Sequence, residues 1–364
     1  MRGLYVHIPF CTHICTYCDF VKTMAREEKK ARYVDALLQE IERIHPTGFE
    51  TVHIGGGTPS CLSNKDLKRV IDAAMRAAKN PSEVAIECNP NDITKSKAMM
   101  LKRAGVNRVT LGVQTFDDAQ LKRLNRSHKA KDVRQAFSLL RACGLHNIAV
   151  DLIFGLPLQT LEDVTKDLDR VIQLGPSHIS TYELIFEPQT VLYYNYQRGR
   201  VLPVDEDDAA LMYETIVNQL EKANYKQYEI SNFAKDHFVS QHNLLVWRDA
   251  DYIGVGAGAH SKVKCQRYGN IRSISGYINA IEKGHDVCAF QEPHEGVRDA
   301  LIMGLRLNEG VHLPTLKSRF GVDVMTRYPE VAKHITEGLL EIKAEWLMLT
   351  NRGRLLGNNV FAIF

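Results

Sequence analysis

The first half of the chain alternates short runs of β-branched and aliphatic residues with longer amphipathic segments. The short runs have the length and composition of buried strands, and they cover residues 4–8, 51–54, 83–88, 108–113, 147–154 and 178–185. The segments between them carry apolar residues at helical spacing, and several end on a glycine suited to a helix C-terminus. This alternation predicts a parallel sheet covered by helices.

Six strand-and-helix repeats predict an α/β fold, and they favour a partial (β/α)6 barrel related to the TIM barrel. An open doubly wound sheet is the alternative. We predict that the barrel occupies residues 1–205. In a barrel the carboxyl ends of the parallel strands lie together and build the functional site.

The regular alternation of predicted strands and helices is lost in the rest of the chain. Residues 206–290 contain a helical pattern, the strand YKQYEI and the glycine-rich stretch YIGVGAGAHS, and they predict an α/β extension beside the barrel. Residues 291–364 carry three helical patterns followed by the extended segment EWLMLT. This arrangement predicts a smaller, mainly helical domain that resembles a winged helix.

Composition adds a few constraints. The chain has 364 residues, 45% of them hydrophobic, which is enough for a sizeable core. A formal charge of +3 gives no reason to expect a nucleic-acid partner. Since no apolar run approaches the roughly 20 residues of a membrane span and the N-terminus lacks the long apolar stretch of a signal peptide, we expect no transmembrane segment and a cytoplasmic location.

Three of the eight cysteines lie in the segment FCTHICTYCDF, as Cys11, Cys15 and Cys18. The other five are isolated, which is unlike a disulfide framework, and we expect them to be small buried side chains. Three clustered thiolates favour zinc, copper(I) or an iron–sulfur cluster. A structural zinc site needs a fourth ligand, and His13 would strain the loop.

A four-iron cluster held by three cysteines leaves one iron free to bind a small molecule. The spacing therefore favours an iron–sulfur cluster modestly over zinc. A zinc-bearing interaction module remains an alternative.

Polar residues follow or end all six predicted strands. Besides the cysteine loop, they are the IGGGTPS segment, Glu87, Gln114, Asp151, Tyr182 and Glu183. Because polar side chains in apolar strands are costly unless they have partners, this pattern indicates a shared polar ligand at one end of the barrel. The three glycines after strand two would let the backbone approach that ligand closely.

These motifs together resemble the radical S-adenosylmethionine (SAM) enzymes. More narrowly, the chain resembles the coproporphyrinogen-dehydrogenase-like branch and, within it, the HemW-type heme chaperones. The segments that carry this resemblance are YVHIPFCTHICTYCDF, GGGTPS, ECNP, LGVQTF, DLIFGLP, YEISNF and HN-x2-VW.

The resemblance implies a [4Fe-4S] cluster on the three clustered cysteines, with SAM bound through the free iron. An electron from the cluster would then cleave SAM to a 5'-deoxyadenosyl radical. The positions that match SAM-contacting residues of the family are Tyr5, Gly56, Gly57, Thr58, Glu87, Gln114, Arg126 and Asp151. A fixed positive charge at Arg126 also suits a carboxylate ligand.

Two functions from different classes compete. In the first, the protein binds heme and delivers it to acceptor proteins such as respiratory enzymes. In the second, it is an oxygen-independent coproporphyrinogen III dehydrogenase, which decarboxylates coproporphyrinogen III to protoporphyrinogen IX. The dehydrogenases that the chain resembles carry a fourth cysteine two residues after the third, where this chain has Phe20, and they have a longer segment before the cluster. Both differences favour the heme carrier.

The segment QHNLLVW supplies the candidate heme-binding residue, His242. Imidazole is a good axial ligand for heme iron, and Trp247 offers an aromatic face. Val246 stands where the family signature has tyrosine, so one hydroxyl is missing. The sequence leaves the oligomeric state open, a homodimer included.

Overall fold

The computed structural model describes residues 2–44 and 48–364. The strands are β1 Arg2–Ile8, β2 Thr51–Gly56, β3 Glu83–Cys88, β4 Arg108–Gln114, β5 Ile148–Phe154, β6 His178–Glu183, β7 Lys226–Glu229, β8 Asn232–Ala234, β9 Asp251–Val255, β10 His260–Val263, β11 Gln266–Asn270, β12 Cys288–Pro293, β13 Val311–His312, β14 Leu340–Lys343 and β15 Trp346–Leu349.

The helices alternate with these strands in the first half and dominate the C-terminal part. They are α1 Glu27–Arg43, α2 Asn64–Ala78, α3 Lys95–Arg103, α4 Asp118–Arg123, α5 Ala130–Ala142, α6 Leu161–Leu174, α7 Val191–Gln197, α8 Glu206–Lys222, α9 Gln241–Trp247, α10 Ile274–Glu282, α11 Val297–Gly304, α12 Leu313–Phe320, α13 Val324–Arg327, α14 Glu330–Thr336, α15 Asn351–Leu355 and α16 Gly357–Phe361. Short 3-10 turns follow β2 and β3, at Pro59–Cys61 and Pro90–Asp92.

The first six strands lie side by side in sequence order, and each is parallel to the next. A doubly wound sheet reverses its strand order at a switch point, whereas this one does not. In the described residues the edge strands β12 and β7 do not pair, so the sheet stays open. The predicted partial (β/α)6 barrel is thus confirmed, and the doubly wound alternative is wrong.

Local sequence signals explain where the covering helices begin and end. Helix α6 starts at a capping box in which Thr160 and Asp163 exchange side-chain-to-backbone hydrogen bonds, and it ends at Gly175 with a φ of 69°. Helix α2 starts at Ser63, whose hydroxyl accepts from the Asp66 backbone N–H. The alternate strand residues pack under these helices in one large hydrophobic core.

The region after the barrel contributes more strands than the sequence predicted. The glycine-rich stretch forms β9 and β10; β9 pairs in parallel with β1, and β10 turns back against β9. Strands β11 and β12 extend this edge, while β7 and β8 form a hairpin on the other edge. Each of these strands has only three to six residues, and the pairings that join them to the barrel, β9 with β1 and β8 with β6, connect residues far apart in sequence, so periodicity alone did not reveal them.

The C-terminal part has its own hydrophobic cluster, which includes Leu301, Leu316 and Val331. Helices α11 to α14 pack with a three-stranded sheet of order β13-β15-β14, in which the segment EWLMLT supplies β15. No helix in the described ranges has the length and apolar character needed to cross a membrane. All eight cysteines are free thiols, but Cys265 and Cys288 are exposed, so the expectation of burial is wrong for these two, which lie in the turn before β11 and at the start of β12.

Candidate functional site

A cavity of about 390 Å³ opens at the carboxyl ends of the parallel strands. We call it the cluster cavity. All three clustered cysteines line it, together with seven of the eight candidate SAM positions: Gly56, Gly57, Thr58, Glu87, Gln114, Arg126 and Asp151. Tyr182 and Glu183 line it as well, so polar residues from all six strands or the loops that follow them meet in one place.

The cysteine loop leaves β1 and is held against the barrel by backbone hydrogen bonds. The Cys11 N–H donates to the Thr23 carbonyl at 3.0 Å, and the Thr58 N–H donates to the Phe10 carbonyl at 2.7 Å. Thr58 also places its hydroxyl 3.4 Å from the Cys11 Sγ. The loop after β2 therefore fixes the first cysteine directly.

The three thiols suit an iron–sulfur cluster. Burial raises the pKa of Cys11 to about 11 and also raises the pKa of Cys18, so iron binding would have to displace their protons. Within residues 2–44 and 48–364, no three His, Cys, Asp or Glu side chains are grouped to hold a single metal ion. The cysteines of a four-iron cluster bind different irons and need not meet at one point.

The glycines after β2 leave room beside the cysteines. A Cβ added to Gly57 would lie 2.8 Å from the Phe10 carbonyl oxygen and 3.0 Å from the Cys11 Sγ. Gly56 has a φ of 110°, which side-chain-bearing residues rarely adopt. This backbone can therefore pack closely against the cysteine loop only because it carries no side chains.

Arg126 brings a half-buried positive charge to the cysteines. One Nη lies 3.4 Å from the Cys15 Sγ, and the other donates to Asn89 Oδ1 at 2.6 Å and to the Gly112 carbonyl at 2.7 Å. Its Nε is buried and has no hydrogen-bond partner among the described residues. Because Arg126 lines the cluster cavity, its positive charge suits an anionic ligand there.

Glu87 connects the cavity to a half-buried histidine, His53. One carboxylate oxygen lies 2.8 Å from His53 Nε2, and the other accepts from the Gly56 N–H at 3.2 Å. A Cβ on Gly55 would lie 2.7 Å from this carboxylate. The carboxylate is therefore locked between β2 and β3.

Two further polar groups occupy unusual environments. Burial, which is the largest cause, raises the pKa of Asp151 to about 7; a hydrogen bond with Ser180 acts against this shift and the nearby Glu87 charge adds to it. Gln114 has a φ of 69°, where the pairing of β4 with β5 is interrupted by a bulge between Gly112 and Gln114. Strained positions of this kind are enriched at functional sites.

A second cavity, also of about 390 Å³, lies beside the first and shares Asp19 and Phe20 with it. We call it the histidine cavity. Its lining includes Tyr5, His7, Val21, His242, Val246, Tyr252, Gly258, His260 and Arg272. The cysteine loop forms the wall between the two cavities.

Tyr5 belongs to the histidine cavity and is absent from the lining of the cluster cavity. Its hydroxyl lies 2.9 Å from His7 Nδ1, and its ring stacks on His53 at 6.0 Å between centroids. Tyr5 lies three residues before the end of β1, so it sits deeper in the barrel than the cysteine loop. Contact between Tyr5 and SAM stays a prediction.

His242 lies in the first turn of α9 and is 6% exposed. Its Nδ1 lies 2.8 Å from the Thr51 hydroxyl, and its ring stacks on His53 at 5.0 Å. Burial keeps its pKa well below the ordinary value, so the ring is neutral at neutral pH. One nitrogen is thus fixed by a hydrogen bond, as is usual for a metal-binding imidazole.

Trp247, the expected aromatic face, is covered by another group. The Arg306 guanidinium lies 4.5 Å from the centre of its ring, and Trp247 is not among the residues that line the histidine cavity. Val246, one residue earlier, does line it. Of the segment QHNLLVW, His242 and Val246 therefore line this cavity, whereas Trp247 does not.

Sequence reasoning missed several residues of these sites. Asn89 orients Arg126, Tyr17 lines the cluster cavity, and His53 links Glu87 to the His242 ring. Asn89 follows directly after β3, a signal that could have found it. No local pattern marked His53, because its importance depends on contacts with residues far along the chain.

Comparison with known proteins identifies the family. Residues 5–171 match the radical SAM superfamily, and residues 291–356 match the HemN C-terminal domain. The heme chaperone HemW of Bacillus subtilis (strain 168) is 41% identical, over 100% of this chain and 99% of its own length. The chain belongs to the HemW family. The heme chaperone HemW of Escherichia coli (strain K12) is 34% identical over 100% of this chain and 97% of its own.

The fold of this HemW-family chain also matches a solved structure. Coproporphyrinogen III oxidase (HemN) of Escherichia coli, described as a radical SAM enzyme, aligns with a TM-score of 0.85 and 22% identity. The alignment covers 100% of this chain and 89% of HemN. At this identity the match shows a shared fold. Membership of the radical SAM superfamily implies a [4Fe-4S] cluster and SAM.

Proposed function

We propose that this protein is a heme chaperone located in the cytoplasm. It binds heme there and passes it to acceptor proteins such as respiratory enzymes. The observation that carries the proposal is the 41% identity to the Bacillus subtilis heme chaperone HemW along the whole chain. The geometry supports it, because His242, the candidate heme residue, lines a cavity beside the cysteine loop.

We further propose that Cys11, Cys15 and Cys18 hold the [4Fe-4S] cluster and that SAM occupies the cluster cavity. When reduced, such a cluster supplies an electron to SAM. The chain's own contribution is to fix Cys11 through Thr58, to place the Arg126 charge beside Cys15, and to keep the backbone of the GGG segment open. We propose that the ligand's carboxylate pairs with Arg126.

Phe20 favours the carrier over the dehydrogenase. It occupies the position where the dehydrogenases have their fourth cysteine, and its side chain is 62% exposed at the wall between the two cavities. A phenyl ring cannot bind iron, and it offers an apolar surface to a macrocycle. The HemN fold match alone does not carry the dehydrogenase activity, since fold does not fix function.

The test uses anaerobically prepared full-length protein. We expect Cys15→Ala to lose bound iron, with Cys143→Ala as the matched control that keeps it. We expect the wild type to take up hemin stoichiometrically and His242→Ala to bind it more weakly. Transfer is measured as the hemin gained by an apo-protein acceptor.

A turnover assay separates the two functions. Protein supplied with SAM, a reductant and coproporphyrinogen III should give no protoporphyrinogen IX beyond background. Multiple turnovers of that product would overturn the heme-carrier proposal. A hemin titration unchanged by His242→Ala would remove His242 from the site.

A further inference from the structure

The glycine-rich turn between β9 and β10 places a third imidazole in the histidine cavity, besides those of His7 and His242. Gly256 and Gly258 have φ values of 100° and 74°, so the turn depends on both glycines. A Cβ on Gly258 would lie 2.7 Å from Val21 of the cysteine loop, which shows how closely the two loops pack. His260 follows at the start of β10 and lines the cavity.

The His260 ring is oriented by an aromatic contact and has no hydrogen bond in the described part of the chain. Phe290 meets it edge-on, at 5.4 Å between centroids and an angle of 68°. Phe290 fits there because Gly269 has no side chain; a Cβ on Gly269 would lie 2.3 Å from the Phe290 ring. Both ring nitrogens of His260 therefore remain available to a ligand.

The other two histidines that line this cavity differ in what they can offer. His7 uses both ring nitrogens, Nδ1 with the Tyr5 hydroxyl at 2.9 Å and Nε2 with the Val21 carbonyl at 3.0 Å. His242 uses only Nδ1, and in the tautomer that donates this bond to Thr51, Nε2 keeps its lone pair. His242 and His260 thus both have a free nitrogen.

The charges around the cavity suit a neutral imidazole pair and an anionic group. Burial lowers the pKa of His260, and the neighbouring Arg272 lowers it further. Arg272 is exposed at the cavity and forms no ion pair or hydrogen bond with the described residues. Asp19 is the carboxylate in the lining, where it also borders the cluster cavity.

We propose that His242 and His260 are the two axial ligands of heme iron in the histidine cavity, and that Arg272 binds a heme propionate. The proposal rests on the proposed heme-carrier function and assigns the ligands within it. Two neutral imidazoles make a six-coordinate, low-spin iron, whereas one imidazole leaves it five-coordinate. A guanidinium pairs with a carboxylate through two parallel hydrogen bonds.

The first experiment reads the iron coordination of hemin-loaded full-length protein by absorption and electron paramagnetic resonance. We expect a low-spin ferric spectrum for the wild type. His260→Ala should give a high-spin spectrum and should bind hemin more weakly, by at most about tenfold. Addition of imidazole should return its spectrum to low spin. His260→Gln, which preserves size and polarity, should also be high-spin.

His285→Ala is the matched control, since His285 is exposed in the turn after α10 and outside the cavity. It should leave the spectrum unchanged. A low-spin spectrum retained by both His260 variants, or a high-spin wild type, would overturn the assignment while leaving the heme-carrier function standing. Failure of the wild type to take up any hemin would overturn both.

The second experiment isolates the propionate contact. Arg272→Gln should weaken the binding of hemin but not that of hemin dimethyl ester, whose carboxylates are blocked. Arg200→Gln, an exposed arginine in the loop after α7, should change neither affinity. Equal loss for hemin and its ester would show that Arg272 does not pair with a propionate.

Discussion

Asp151 carries a carboxyl group that sits in the middle of a hydrophobic strand and still lines the cluster cavity. Burial, which is the largest cause, and the Glu87 charge together raise its pKa from 3.8 to about 7. The group is therefore partly protonated at neutral pH when no cation is near. A positively charged ligand would favour the ionised form.

SAM carries a positive sulfonium, so its binding should strengthen as pH rises through about 7. Above that pH Asp151 is already ionised, and no binding free energy is used to deprotonate it. The same binding should release protons below that pH. Calorimetry of anaerobic, cluster-loaded protein in two buffers of different ionisation enthalpy measures both effects. Asp151→Asn should flatten the dependence between pH 6 and 8; an equally steep profile in that variant would assign it to another group.

At the scale of the element, β4 shows how a strand is adapted to a site. Its last residue, Gln114, has a φ of 69° and lies where the register of β4 against β5 shifts, and it lines the cluster cavity. A side-chain-bearing residue in this region costs about 1–2 kcal/mol relative to glycine. The strand therefore gives up some stability to present this amide.

Substitutions at Gln114 should separate strain from ligand contact. Gln114→Gly should be more stable than Gln114→Ala by about 1 kcal/mol in urea unfolding, because glycine relieves the strained backbone. Both variants should bind SAM more weakly, since both lose the amide. Equal stability of the two variants would show that the backbone relaxes at this position, and unchanged SAM affinity would remove Gln114 from the site.

At the scale of the whole molecule, a buried network of ion pairs connects the C-terminal helices to the strands beside the barrel. Asp249, two residues after the end of α9, pairs with Lys262 of β10 at 2.5 Å and with Arg319 of α12 at 2.8 Å. His294 also contacts this carboxylate at 2.9 Å. The network links the helix that carries His242 to the C-terminal helices.

Asp249→Ala should therefore destabilise the protein by about 3–5 kcal/mol, because it leaves the Lys262 charge buried without its partner. Chemical unfolding monitored by circular dichroism measures the loss. Asp236→Ala, which removes an exposed pair with Lys226, is the matched control and should leave the midpoint nearly unchanged. A small effect of Asp249→Ala would show that water or another anion replaces the carboxylate.

The local sequence pattern was sufficient to predict the barrel strands and to select residues that line the cluster cavity. Strand and helix periodicity located β1 to β6, and the spacing of Cys11, Cys15 and Cys18 indicated a soft metal centre. Residues such as Glu87 and Asp151 could be selected because each lies on a predicted strand, and parallel strands bring their carboxyl ends together. These inferences depend on neighbours in sequence or on a repeated unit.

The histidine cavity, by contrast, was decided only by the tertiary structure. Tyr5, His242, His260 and Arg272 come from β1, α9, β10 and the loop after β11, and they meet because β9 pairs with β1. The pairing partner of a short strand and the pKa of a buried carboxyl depend on groups far along the chain, and periodicity carries no record of them. The sequence therefore determined which groups are present, and the fold determined which of them face one another.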